Sequence, residues 1–238
     1  MNFGIIAAGE GSRLVQEGVN VPKPLVILNG KPMIERLIDL FCNCGAENIN
    51  IIVNEEMKEV FSFLEEKKKN VLCPLKITVK STPSSMHSFY ELARELAPKG
   101  RYIVTTVDTV FREIDFRGYV KAFVEAGVET QGMMPVTSFI DDEKPLYVKT
   151  ELGGRITAFL DKKDEDVKYI SAGIYGLSQS SLPVLEKALA EGTHRMRNYQ
   201  RALVASGLDL QAYDIGKVVD VDHAGDIITA EKFLNENL

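Results

Sequence analysis

A short apolar run that breaks into paired glycines and an arginine constrains this chain more than any other stretch. Gly4-Ile5-Ile6-Ala7-Ala8 reads as a buried strand, and Gly9-Glu10-Gly11-Ser12-Arg13-Leu14 follows at once. Glycines at 9 and 11 let the backbone take positive φ and approach a ligand closely. Their amides can converge on phosphate oxygens, with Ala8 and Ser12 beside them. Arg13 adds a planar cationic fork suited to phosphate. Lys23-Pro24-Leu25 supplies a second cation next to a rigid proline, ten residues beyond Arg13. A dinucleotide-binding fingerprint would need a third glycine where Leu14 stands. The segment also runs on through Gln16 to Pro22 instead of opening a helix at once, which disfavours a dehydrogenase.

Downstream, strand-like and helix-like segments alternate. Ile34, Leu37, Ile38 and Phe41 recur at helical spacing within 33–44. Ile49–Val53, Leu75–Val79 and Tyr102–Val107 read as strands, and Glu55–Lys69 and Ser88–Leu96 as helices. This βαβα order argues for an α/β fold with a parallel sheet and helices on both faces. After about residue 130 the rhythm changes. Short strands are expected at 133–137, 146–150, 156–159 and 169–175, forming a small antiparallel insertion laid against the main sheet. Two helices, two short strands and a last helix complete the expectation. One domain over 1–238 is anticipated.

Composition narrows the partners. The formal net charge is −6, so no global basic field draws this chain to nucleic acid or to an anionic membrane. No stretch approaches the ~18 apolar residues of a membrane span. No basic region precedes the opening strand, so the reading is a cytoplasmic chain without a leader. Self-association into a homo-oligomer stays open. Cys42, Cys44 and Cys73 are too few for a disulfide framework and read as buried or incidental thiols.

Gly9, Gly11, Ser12, Arg13 and Leu14, then Lys23-Pro24-Leu25, then Asn29-Gly30-Lys31-Pro32-Met33, together resemble the sugar-phosphate nucleotidyltransferase family. The resemblance runs from the first strand to the last helix, with no β-helix or acyltransferase extension, so a bare catalytic domain is expected. It implies a Rossmann-like, mostly parallel mixed sheet. It also implies transfer of NMP from an NTP to a sugar 1-phosphate or similar phosphorylated small molecule, with pyrophosphate released. It implies a nucleotide-binding half over about 1–130, with Ala8, Gly9, Gly11 and Ser12 among the nucleotide-binding residues, and an acceptor-binding half over about 131–238; Arg13 and Lys23 would be the catalytic cations. Such chemistry rests on positioning and charge neutralisation, usually with Mg2+ held by one or two carboxylates. Asp108 ends the run Tyr102-Ile-Val-Thr-Thr-Val107, where open α/β sheets place ligands. Asp222, in Val219-Asp220-Val221-Asp222-His223, matches the family's second metal ligand. Asp226 reads as a helix cap.

On the acceptor side, Phe159-Leu160-Asp161-Lys162 resembles a phosphate-contacting F-x-E-K, and Lys163 leaves the register open by one. Ser171-Ala172-Gly173-Ile174-Tyr175 resembles N-A-G-I-Y, which implies acceptor contacts from Ser171 and Gly173. The Ser-rich turn Ser81–Ser88 resembles the cytidylyltransferase branch, with Ser84 and Ser85 as candidate base contacts. A plain helix N-cap at Ser84 or Ser85 explains the same residues. A pyrimidine nucleotide is expected, CTP slightly ahead. Two other classes compete. A glycosyltransferase of related fold would want a second acid near Asp108-Thr109-Val110. A catalytically inactive nucleotide-sugar binder need not keep both carboxylates.

Overall fold

The computed structural model describes residues 1–139 and 144–236. The first half runs β1 (Asn2–Ala7), α1 (Ser12–Gln16), a hairpin of β2 (Ile27–Leu28) and β3 (Lys31–Pro32), α2 (Met33–Asn43), β4 (Asn48–Val53), α3 (Lys58–Lys68), β5 (Leu75–Val79), α4 (Ser85–Leu96), β6 (Tyr102–Thr106), β7 (Thr109–Val110) and α5 (Glu113–Glu125). The second half runs β8 (Gly132–Thr137), β9 (Tyr147–Thr150), β10 (Ile156–Leu160), β11 (Tyr169–Ser171), β12 (Ile174–Leu177), α6 (Ser181–Ala190), α7 (Met196–Ala205), β13 (Leu210–Asp214), β14 (Val219–Asp220) and α8 (Ala224–Asn235).

One mixed sheet crosses both halves in the order β10-β9-β11-β8-β12-β6-β1-β4-β5, with β13 beside β8. The run β6-β1-β4-β5 is parallel, which fits the expected Rossmann-like α/β class. The antiparallel strands are not laid against this sheet. They extend it, because β12 pairs antiparallel with β6 and so satisfies the edge that the parallel half would leave open.

Successive residues of a strand face opposite ways, and the sequence exploits it. Phe3, Ile5 and Ala7 of β1 join Ile49, Ile51 and Val53 of β4 in a core covered by α2, α3, α5 and α8. Ile6 and Ile52 face the opposite core, under Phe89 and Leu92 of α4 and Tyr199 and Leu203 of α7. Each such large side chain, fully buried, contributes roughly 1.5–3 kcal/mol. Gly4 sits where β1 passes closest to α4. A Cβ there would come within 2.9 Å of Val104 and 3.1 Å of Leu96.

Four local expectations change. The segment after Gly11 does open a helix: α1 is one exposed turn that buries only Leu14 and ends before Gly18, whose φ is 87°. The anticipated single strand over 169–175 breaks into β11 and β12, because Gly173 turns the chain at φ 71° between two different sheet neighbours. Helix α5 was not anticipated. Finally, Cys42 and Cys73 are not separate thiols but a disulfide, formed where the end of α2 meets the turn before β5, with 5.9 Å between their Cα atoms. Cys44 stays a free thiol, and burial pushes its pKa up to about 11. No described helix is long and apolar enough to cross a membrane.

Candidate active site

The C-terminal ends of β1 and β6 lie side by side, since the two strands pair in parallel with Ile6 opposite Thr106. The glycine loop and Asp108 therefore emerge at one edge. Asp222 reaches the same place by a second device. Strand β7, just after Asp108, pairs with β14, just before Asp222. The Val221 N–H then donates to the Asp108 carbonyl at 3.1 Å. Two acids far apart in sequence are thus fixed next to each other by backbone.

Between them lies Lys23. Its Nζ donates to Asp108 Oδ2 at 2.5 Å and to Asp222 Oδ1 at 2.6 Å. The Lys23 side chain is 9% exposed, while those of Asp108 and Asp222 are 24% and 45% exposed. Burial acts to lower the Lys23 pKa, but the charges and hydrogen bonds of Asp108 and Asp222 outweigh it and leave it raised. Burial acts to raise Asp222, and Lys23 with Arg13 reverses that, holding it below the usual carboxylate value. Arg13 Nη1 reaches Asp222 Oδ2 at 3.2 Å. Gly11, at φ 62°, lets this packing close: a Cβ there would stand 2.9 Å from Lys23 Cβ.

A cavity of about 540 Å3 opens above this cluster. Its lining includes Ala8, Gly9, Gly11, Ser12, Arg13, Lys23, Ser84, Ser85, Asp108 and Asp222. These are the candidate nucleotide, catalytic and metal residues, gathered in one place. Helix α4 begins in the same wall. Ser84 is its N-cap, accepting from the His87 N–H and lying 2.8 Å from His87 Nδ1. The hydroxyl of Ser84 is thereby engaged by its own helix, so its backbone and Ser85 face a ligand more freely.

The acceptor candidates divide. Ser171 and Gly173 line an adjoining cavity of about 400 Å3 with Arg195, Arg197, Gln200 and Asp220. Ser85 belongs to both cavities. Lys162 and Lys163 lie elsewhere, in a neighbouring cleft that shares only Lys144 and Arg197 with it. Asp161 is clamped by Arg197 at 2.7 Å and Arg201 at 2.8 Å. Arg195, Arg197 and Gln200 went unread in the sequence. Two arginines flanking Met196 at the start of a helix were the available signal.

The Asp222 loop is braced from two sides. Asp226 Oδ2 accepts from the N–H groups of Asp222 and His223, at 2.9 and 2.7 Å, as its expected capping role requires. Glu17, at the end of α1, accepts from the Ala224 N–H at 2.6 Å and meets His223 Nδ1 at 2.6 Å. The hydrogen bond to Glu17 raises the His223 pKa above 6.5, and the bond to His223 lowers Glu17 below 4.5. The His223 contribution is therefore complete below 6.5 and fades as pH rises through its raised value. That of Glu17 is present above 4.5 and fades as pH falls through its lowered value. In an NMR titration of the histidine rings, His223 is expected to titrate above 6.5, and Glu17→Gln to bring it down. An unmoved His223 curve in Glu17→Gln would refute the pairing.

The donor set fits a hard divalent ion. Asp108 and Asp222 offer carboxylate oxygen only, are partly open to solvent, and leave positions for waters and phosphates, as Mg2+ prefers. Among the described residues no group of three or more His, Cys, Asp or Glu is placed to hold a metal. An ion here would have to complete its shell from substrate and water.

Known proteins of similar sequence agree with this architecture. The bifunctional IPC transferase and DIPP synthase of Aquifex aeolicus is 26% identical over 235 residues, covering 97% of this chain and 51% of that protein. A 2-aminoethylphosphonate cytidylyltransferase of Lancefieldella rimae is 43% identical over 63 residues, 26% of this chain and 25% of the relative. The chain thus spans about half the length of the Aquifex protein or less of such relatives. In fold, the CTP:phosphocholine cytidylyltransferase of Streptococcus pneumoniae superposes with a TM-score of 0.75 at 22% identity, over 98% of each chain. The nucleotidyl transferase family model matches residues 4–237, and the chain belongs to that family.

Proposed function

We propose that this chain transfers CMP from CTP to the phosphate or phosphonate of a small acceptor, with release of pyrophosphate. The observation that carries the reading is the meeting of Asp108 and Asp222 on one buried ammonium, at the floor of the cavity framed by the glycine loop. A binder of nucleotide sugars has no use for two converged acids. A glycosyltransferase would want a second acid next to Asp108, where Thr109 and Val110 form a buried strand.

In this reading the amides of Gly9 and Gly11 and the Arg13 guanidinium hold the triphosphate. Mg2+, when bound by Asp108 and Asp222, supplies charge neutralisation at the α-phosphate. An oxygen of the acceptor attacks the α-phosphorus, and the bond to the β-phosphate oxygen breaks. The electron pair leaves with pyrophosphate. No general base is required, because the nucleophile is already anionic. Lys23, which holds both carboxylates at the cavity floor, would give them up to such an ion and turn its own charge to the leaving phosphates. Arg195 and Arg197 flank the acceptor cavity, so they are better placed for the acceptor phosphate than Lys162 or Lys163.

The base is read at the start of α4. The Ser84 backbone and the Ser85 hydroxyl in that wall suit a pyrimidine edge. CTP is favoured over UTP because one of the relatives described above, that of Lancefieldella rimae, is a cytidylyltransferase by name. A site with fixed partners for one base edge rejects others by leaving those partners unpaired. Pyrophosphate release measured with each of CTP, UTP, dTTP, ATP and GTP, magnesium and a panel of phosphorylated acceptors tests this. CTP is expected to lead by about tenfold or more, the equivalent of one unpaired polar group. Preference for a purine would overturn the base assignment, and no pyrophosphate with any pair would overturn the reaction.

A further inference from the structure

Three side chains between residues 13 and 23 make polar contacts with the segment 222–224. Arg13 and Lys23 reach the Asp222 carboxylate, at 3.2 and 2.6 Å. Glu17 takes the next two residues instead. One of its oxygens accepts from the Ala224 N–H and the other meets His223 Nδ1, each at 2.6 Å. Arg13 and Glu17 belong to one turn, since the Glu17 N–H donates to the Arg13 carbonyl, and residues four apart share a helix face. Buried Leu14 anchors that turn to the core. Helix α1 therefore grips the segment at two points, with a cation on the carboxylate and an anion on the start of α8.

The contacts have different fates when the site is loaded. In the nucleotidyl-transfer reading Arg13 turns to the triphosphate and Lys23 to the leaving phosphates, so both let go of Asp222. Asp226 keeps the Asp222 and His223 N–H groups, but it belongs to the same stretch of chain. The Val221 N–H and the β7–β14 pairing hold the segment to Asp108, not to α1. Of these contacts, the one that still joins the segment to the phosphate loop is Glu17. A carboxylate is not drawn to the triphosphate that attracts Arg13. It also sits at the N-terminus of α8, where free N–H groups and the helix dipole favour an anion. Glu17 lines neither the nucleotide cavity nor the acceptor cavity, so it acts through the segment and not on a substrate.

We propose that Glu17 is a positioning residue: it keeps the Asp222 carboxylate in register with the phosphate loop after Arg13 and Lys23 have left it, so that a triphosphate and Asp222 share one divalent ion. The inference rests on the nucleotidyl-transfer reading and deepens it. It makes nucleotide and metal binding cooperative, with α1 as the connection, and such coupling is reciprocal between the two ligands. A carboxylate that served only as a helix cap would act differently. Its loss would lower stability with or without ligand and leave the coupling intact.

The test is a calorimetric titration of the α,β-methylene analogue of the triphosphate that the wild type prefers, CTP in the reading above. It is run with and without magnesium on the wild type, Glu17→Leu and Glu17→Gln. The ratio of the two Kd values measures the coupling. In Glu17→Leu that ratio is expected to fall about tenfold, as for one lost hydrogen bond to a charged group, while the metal-free Kd stays within about twofold. Glu17→Gln keeps an oxygen for the Ala224 N–H and loses the charge, so an intermediate fall of about threefold is expected. That variant decides the matter should Glu17→Leu not fold. In turnover, the magnesium needed for half-maximal pyrophosphate release should rise in the same order, with kcat at saturating magnesium changed less. A wild-type ratio near one, an unchanged ratio in both variants, or metal-free and metal-bound affinities weakened by one common factor would overturn the positioning role and leave the transfer reading standing. A wild type that binds no analogue and releases no pyrophosphate would instead remove the transfer reading, and this inference with it.

Discussion

Asp222→Asn is expected to lower kcat by about 10^3-fold while the protein stays folded. The reasoning starts from the backbone. Asp222 is delivered to Asp108 by the β7–β14 pairing and by the Val221 N–H to the Asp108 carbonyl, none of which involves its carboxylate. The side chain is 45% exposed, and asparagine keeps an oxygen to accept from Lys23. Folding should therefore change little. A shift of about 1 kcal/mol would move Tm by roughly 2–4 °C in a chain of this size. Chemistry should change a great deal. A carboxylate that helps hold Mg2+ against the α-phosphate supports several kcal/mol of transition-state stabilisation, and ~4 kcal/mol is about 10^3 in rate. Asparagine has the shape but not the charge. Steady-state pyrophosphate release and a thermal melt on the same preparation decide it. Near-normal kcat in a folded Asp222→Asn would remove this residue from the proposed metal site.

How much of this was readable before any coordinates depends on whether a feature is local. The glycine loop is contiguous, so its residues kept their neighbourhood on folding, and Ala8 to Arg13 line the cavity together. Asp108 was readable because an apolar strand must end somewhere, and ligands gather at such ends in open α/β sheets. Asp222 came from its resemblance alone, since only the β7–β14 pairing shows that it reaches Asp108. Helix α5 carries Phe116, Tyr119, Val120 and Phe123 at helical spacing, but exposed Ile114 and Val124 blur the apolar stripe. The Asn29-Gly30 turn, with φ of 48° and 80°, was a readable hairpin signal between β2 and β3. The acceptor wall was readable only in part: the resemblance marked Ser171 and Gly173, but not the helix opposite them. Ser171, Arg197 and Gln200 come from a strand and a helix joined only by the tertiary fold, and nothing near Gln200 in sequence marks its oxygen as unpaired. The Cys42–Cys73 disulfide spans 31 residues, and three cysteines give no spacing rule that picks this pair.

Lys23→Met is expected to abolish most turnover and, at the same time, to tighten metal binding in the absence of nucleotide. The two effects have one cause. In the ligand-free protein the Lys23 ammonium stands where a cation bridging Asp108 and Asp222 would stand, within hydrogen-bond reach of both. It must be displaced before both carboxylates can turn to a metal. Methionine keeps the unbranched stem that packs under Gly11, so the loop should hold its shape. What is lost is the charge. Asp108 and Asp222 then face each other without a counter-ion, and like charges at this range resist joint ionisation. In the wild type the depressed Asp222 pKa contributes stability that is present above 3.8 and lost as pH falls through the lowered value. In Lys23→Met that contribution disappears, and repulsion replaces it at neutral pH. Breaking a fully buried pair costs about 3–5 kcal/mol. Because Asp222 is about half exposed, the expected loss is discounted for solvent screening to roughly 1–2 kcal/mol. Magnesium should restore that stability, since an ion bound only by the folded state raises Tm in proportion to its occupancy. The measurement is a pair of thermal melts with and without millimolar magnesium, beside calorimetric titration of the ion. A larger magnesium-dependent rise in Lys23→Met than in the wild type, together with a rate reduced by about 10^2-fold or more, is the expected pair of results. Equal metal responses in the two proteins would mean that the ammonium and the ion do not compete for one place, and that Asp108 and Asp222 do not act together on a metal.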